Sequence, residues 1–220
     1  MANADVKKYA LFVMKKLAEL YPEAKCHIDF TNSFELLIST VLAAQCTDIR
    51  VNATMVPLYK KKYKKPEDII KDGLENFRKE ISSINFYNNK AKNVLSFCEA
   101  LVAEHKSKVP CDMDALTKLA GVGRKSASVV LGNTCGVRDV IIVDTHLKRV
   151  SQRLGLIKNE DPTKIEFELK DLIPPKEQWH FSMRIGEHGR VVCHAKKPNC
   201  PECVFNQTCP SSLVKQVQVN

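Results

Sequence analysis

At 220 residues, 44% of them apolar, the chain can bury a substantial core as one large domain or two small ones. Thirty-four Lys and Arg residues against 25 Asp and Glu leave a net charge of +9 and a pI of about 9.1, which favours a polyanion such as nucleic acid as partner, although a solvated lysine surface would carry the same charge. No apolar run approaches the ~20 residues needed to span a bilayer and Met1 to Ala10 is too polar for a secretory signal, so the expectation is an intracellular chain with no membrane, nucleoid-associated if bacterial.

Helical spacing begins at once. Val6, Tyr9, Val13, Met14, Leu17 and Leu20 form a stripe opened by Asp5 as N-cap and closed near Pro22. A second helix starts at Asn32 or Ser33 and is apolar nearly all round through Leu42, as a buried helix would be. Thr47 caps a third, which Pro57 should end or kink, and Lys60, Lys61, Lys62, Lys64 and Lys65 then read as a basic connector. Pro66 suits the first turn of a fourth helix, with Gly73 as later punctuation, and a long pattern runs from Asn89 to His105. Asp112 caps the next helix; Asp161-Pro162 opens another, Pro174-Pro175 closes it, and a last one runs from about Lys176 into Cys193. The only β-like run, Val140 to Val143, has no pairing partner, so the fold class is all-α.

Leu119-Ala120-Gly121-Val122-Gly123-Arg124-Lys125-Ser126-Ala127 lies between two helical patterns and reads as helix, hairpin, helix. Two glycines allow a sharp turn and close approach, and the N–H groups opening the second helix suit a phosphate; a plain capping turn is the simpler reading of Gly-x-Gly alone. Of nine cysteines, Cys26, Cys46, Cys98, Cys111 and Cys135 are scattered and read as small core residues. The rest form Cys193-x6-Cys200-x2-Cys203-x5-Cys209, where a reducing compartment favours metal over disulfides. Four thiolates suit a 4Fe-4S cluster or a tetrahedral zinc ion, and the single Cys-x2-Cys pair is unlike the two pairs of a zinc ribbon.

With Val143-Asp144-Thr145-His146 downstream of Lys125, the chain resembles the endonuclease III family of helix-hairpin-helix DNA glycosylases. Phe34 to Ile38, Ala44-Gln45-Cys46-Thr47-Asp48, Tyr87 to Ala91, His188-Gly189-Arg190 and all three cysteine gaps are similar in the same order. The resemblance implies two helical domains flanking a DNA-binding cleft: a six-helix domain of about residues 27 to 138, with the helix-hairpin-helix at about 112 to 135, and a cluster domain of 1 to 26 plus 139 to 220. Lys125 and Asp144 would face each other across the cleft, and a 4Fe-4S cluster would sit on the four cysteines.

The implied reaction is base-excision repair on double-stranded DNA by a monomer. Lys125 attacks C1′ of a damaged nucleotide, expels an oxidised pyrimidine and holds the sugar as an imine that permits β-elimination at the abasic site; Asp144 stabilises developing charge and shuttles protons. Gln45 fills the gap left by the extruded base and Phe86 is the wedge. Gly121, Gly123, Arg124, His146, Arg149, Arg190, Lys196 and Lys197 are expected at phosphates, and Trp179 and His180 in the core or shielding the cluster. Two departures stand out: Asn85 where relatives usually carry glycine, with asparagine tolerating a left-handed backbone, and Ala120 where they carry proline. Two other readings remain at this level: a non-catalytic iron-sulfur DNA-binding module, and a monofunctional adenine glycosylase for mismatches, which usually lacks the lysine present here as Lys125.

Overall fold

The computed structural model describes residues 3–214 and contains no strand among them. The chain divides into two compact units, Cys26–Gly136 and Met1–Lys25 with Val137–Asn220; the limits expected at residues 1 and 220 lie outside the described residues.

In the second of these units, α1 (Asn3–Leu20) starts two residues before Asp5, which therefore sits in the first turn instead of capping it. There its carboxylate still meets the positive end of the helix dipole. The helix packs against α9 (Pro162–Leu172) and α10 (Gln178–Val191), and α10 against α8 (Thr145–Arg153). Ala10, Val13, Leu17, Leu147, Val150, Ile165, Leu169, Phe181, Ile185 and Phe205 form their shared core. Val140, Ile141 and Ile142 are buried as a loop, where Ile142 N–H donates to Ser182 Oγ at 3.0 Å in place of a strand partner.

The Cys26–Gly136 unit holds α2 (Ser33–Leu42), α3 (Asp48–Lys61), α4 (Pro66–Glu80), α5 (Tyr87–His105), α6 (Met113–Lys118) and α7 (Arg124–Thr134). Asn32 caps α2 by accepting Glu35 N–H at 3.0 Å, and the Glu35 carboxylate reaches back to Thr31 N–H at 2.7 Å. Buried along nearly its whole length, α2 packs on α3, α5 and α7. Helix α3 runs through Pro57 to Lys61, so Lys60 and Lys61 are its last turn and not a connector. Proline removes one backbone donor, and packing of Val51, Met55 and Tyr59 outweighs that loss. Gly73 (φ 79°) breaks α4 internally, a backbone conformation that glycine reaches without strain.

The scattered cysteines differ from expectation. Only Cys98 is a buried core residue, Cys26 and Cys46 are partly exposed, and Cys111 and Cys135 are joined in a disulfide with Cα atoms 5.6 Å apart. Cys111 directly precedes the cap of α6 and Cys135 caps the end of α7, so folding α7 back on α6 brings them together. The bond closes 24 residues of chain, a loop for which cross-linking contributes about 3 kcal/mol. Cys135→Ser should therefore lower the unfolding free energy of oxidised protein by about that amount and barely change protein held in dithiothreitol; identical denaturation curves for both proteins without reductant would show that the bond contributes nothing.

Candidate functional site

The hairpin between α6 and α7 is anchored by Leu119 and Val122, both buried, with Val122 N–H donating to Leu119 O at 3.1 Å. Gly121 is left-handed (φ 75°), and a Cβ there would lie 2.9 Å from Cβ of Asn93 in α5, too close for any side chain. Gly123 is the N-cap of α7, offers no capping side chain and has open space where a Cβ would stand. Close approach of a ligand backbone to the start of α7 is thus sterically open there, where the helix dipole favours an anion. Arg124 and Lys125 occupy the first two positions of α7; Arg124 is half-buried and Lys125 exposed. Ala120, half-buried, precedes the turn.

In the same unit two further loops meet. Gln45, exposed, follows α2 with φ 54°, and Phe86, 63% exposed, caps α5 with φ 58°, both in the left-handed region that non-glycine residues rarely adopt. Left-handed backbone falls on Phe86 and not on its neighbour Asn85, whose side chain instead donates from Nδ2 to Gln45 O at 2.8 Å. Lys90, 6% exposed, donates from Nζ to Leu42 O at 2.8 Å and Ala44 O at 2.6 Å. Burial holds its pKa below the usual lysine value.

Asp144 is the N-cap of α8, its Oδ1 accepting Leu147 N–H at 2.7 Å, so the cap sets its side-chain position. His146 is half-buried; burial pulls its pKa down, Asp144 pulls it up, and Arg190 and Arg149 add to the lowering. One helical turn on, Arg149 is taken up inside the unit, donating to Gly189 O at 2.7 Å and Cys193 O at 3.0 Å. Its Nε and Nη2 are thus engaged by backbone carbonyls of the unit. Arg153, four residues later on the same face, donates to His194 O (2.7 Å), Ala195 O (2.8 Å) and Cys193 Sγ (3.4 Å). Gly189 lies where α10 meets α8, with the position of a Cβ 3.0 Å from Cβ of His146. Arg190 follows it near the end of α10.

Cys193, Cys200, Cys203 and Cys209 line one pocket together with Val150, Leu154, Val192 and His188. Among the described residues no three His, Cys, Asp or Glu side chains are arranged to hold a single metal ion. Burial raises the thiol pKa of Cys203 and Cys209, and the neighbouring cysteines raise both further. Gathered thiolates repel, so the set suits a group with a cationic core and sulfur preference. The ring against Cys203 is His188, with Nε2 3.5 Å from its Sγ and Nδ1 2.9 Å from the Tyr21 hydroxyl. Burial pushes the His188 pKa down to about 4. Trp179 and His180, both half-buried, meet edge-on and Arg138 lies over the Trp179 ring, whereas the ring against the cysteines, His188, meets Phe205 edge-on. Lys196 and Lys197 are exposed on the loop after Cys193.

The structural roles of Arg153, His188, Lys90 and the Asn85 amide went unread in the sequence, although Lys90, His188 and Asn85 lie in segments singled out there. Only the Arg149/Arg153 spacing on one face of α8 carried a usable signal.

Residues 38–175 match the model of the HhH-GPD superfamily of base excision DNA repair proteins. Endonuclease III of Synechocystis sp. is 42% identical, covering 95% of each chain, and that of Bacillus subtilis is 40% identical, covering 90% of each. A trapped endonuclease III–DNA covalent intermediate superposes with a TM-score of 0.89 at 39% identity, covering 93% of this chain and 96% of that one. A thermostable thymine-DNA glycosylase, TM-score 0.83 at 20% identity, shares the fold.

Gly121 gives the sharpest test of the hairpin. Gly121→Ala combines a left-handed non-glycine residue with the Asn93 overlap and should destabilise the protein by about 2 kcal/mol; a melting temperature equal to that of the parent chain would refute the need for glycine.

Proposed function

The chain belongs to the endonuclease III family within the HhH-GPD superfamily, and from that membership we propose how its residues divide the work of a base-excision-repair DNA glycosylase and abasic-site lyase. The observation that carries the assignment is the position of Lys125: an exposed amine in the first turn of α7, immediately beyond a hairpin that admits a phosphate backbone. A phosphate seated at Gly121 and Gly123 fixes the register of the duplex and carries no base information. Proximity to the sugar then gives Lys125 its role.

The substrate is duplex DNA containing an oxidised pyrimidine or an abasic site, bound by a monomer. Lys125 Nζ, as the neutral amine, forms a bond to C1′ as the bond from C1′ to the base breaks, and the base takes the electron pair and leaves with a proton. The C1′–O4′ bond then breaks as the nitrogen lone pair forms the C=N bond, O4′ takes a proton, and the product is a protonated imine. Removal of a C2′ proton then expels the 3′ phosphate. Asp144, held at the start of α8 by its cap, stabilises positive charge on the sugar and carries protons. Gln45 and Phe86 enter the duplex from exposed left-handed positions, Gln45 into the gap and Phe86 between bases. Arg124, His146, Arg190, Lys196 and Lys197 contact phosphates, which makes affinity fall with salt.

Four sulfur donors around one pocket fit a 4Fe-4S cluster, held by Cys193, Cys200, Cys203 and Cys209. Bound there, the cluster would supply cross-linking that orders the loop bearing Lys196 and Lys197. Arg153 and Arg149 hold the carbonyls of that loop in place from α8.

Borohydride trapping on a thymine glycol duplex should link the protein covalently to DNA, Lys125→Gln should abolish the product, and Asp144→Asn should slow it at least a hundredfold. Absence of product with the cluster-loaded protein, on that lesion and on a plain abasic site, would leave only a DNA-binding module. Cys200→Ala should separately lower the bound iron well below about four atoms per chain, and an unchanged iron content would exclude it as a ligand.

A further inference from the structure

Gln45 and Phe86 are 41 residues apart in sequence, and both hold left-handed backbone. Each is the third residue of a hydrogen-bonded turn, Cys46 N–H donating to Ala43 O at 3.0 Å and Tyr87 N–H to Ile84 O at 3.2 Å, but neither turn by itself fixes one loop against the other. The Gln45 residue is gripped on both sides: the carbonyl before it, Ala44 O, accepts from the buried Lys90 ammonium at 2.6 Å, and its own carbonyl accepts from Asn85 Nδ2 at 2.8 Å. Asn85 is oriented in turn by Arg50, whose Nη1 stands 3.4 Å from its Oδ1. Phe86 follows Asn85 directly and begins the helix that carries Lys90, so one short stretch supplies both the exposed ring and the two clamps on Gln45. All three side-chain bonds lie within the Cys26–Gly136 unit.

We propose that Asn85 is a positioning residue for base extrusion: its amide ties the Phe86 loop to the Gln45 loop, so that wedge and gap-filling group enter the duplex as a single rigid element. The inference rests on the roles given above to Gln45 and Phe86. Without the tie, each loop keeps only its own turn, and the two groups lose their fixed spacing. Because Asn85 is exposed and its partners are a carbonyl and a solvated guanidinium, its removal leaves the core intact.

The test uses the full, cluster-loaded chain with Asn85→Leu, close in size but without donor or acceptor, and Asn85→Gln, which keeps the amide. Extrusion is followed by fluorescence of 2-aminopurine beside thymine glycol in a duplex, and excision under single-turnover conditions. Asn85→Leu should slow both about tenfold, the loss expected from one hydrogen bond that joins the two loops. Asn85→Gln should recover most of the rate. Borohydride trapping on a single-stranded abasic site, where no partner strand must be invaded, should proceed at the parent rate in both variants. Asn85→Leu combined with Phe86→Ala should be slowed by less than the product of the two single effects, because part of what Asn85 positions is already gone.

An Asn85→Leu protein that extrudes and excises at the parent rate overturns the proposal, as does one equally slowed on single-stranded DNA. Gln45→Ala and Phe86→Ala in the same assay separate the two levels. If both slow extrusion and Asn85→Leu does not, only the tie is wrong; if neither does, the roles of Gln45 and Phe86 themselves fall.

Discussion

The Lys90 ammonium, buried against the carbonyls that end α2, is the interaction on which the loops of the Cys26–Gly136 unit depend. A buried cation is tolerated only where polar groups replace its water, and here Leu42 O and Ala44 O do so. Those carbonyls would otherwise be unsatisfied at the C-terminus of a helix buried along nearly its whole length. The one contact therefore meets two needs. It also fixes where α2 stops, and hence where Gln45 turns into a left-handed conformation.

A parallel arrangement governs the other unit, with α8 at its centre. Its N-terminus holds Asp144 through the capping bond to Leu147 N–H. Five and nine residues beyond Asp144, Arg149 and Arg153 hold Gly189, Cys193, His194 and Ala195 by their carbonyls. One rigid helix thus joins the aspartate to the loop that begins the cysteine set, and the close approach at Gly189 keeps α10 against it. A binding group on the cysteines and a carboxylate at the helix start are mechanically connected through nine residues of helix.

Much of this was legible from sequence because helix capping and tight turns are local. Asn32, Thr47, Asp112, Asp144 and Asp161 each accept the N–H three residues ahead, so one side chain and the start of one turn suffice to read them. Gly121 and the spacing of the four cysteines were equally readable. Pro57 does not end its helix because its local penalty is set against packing of Val51, Met55 and Tyr59, which no local pattern reveals.

By itself, then, the sequence determined an all-helical chain, its caps, its hairpin and its cysteine set, all of which follow from preferences acting within a turn or two of helix. Tertiary structure alone decided that Cys111 meets Cys135, that Asn85 reaches Gln45 and that Arg153 serves Cys193. Those partners lie 24 to 40 residues apart, and pairing at such distance is selected by how helices pack and not by any property of the residues between them.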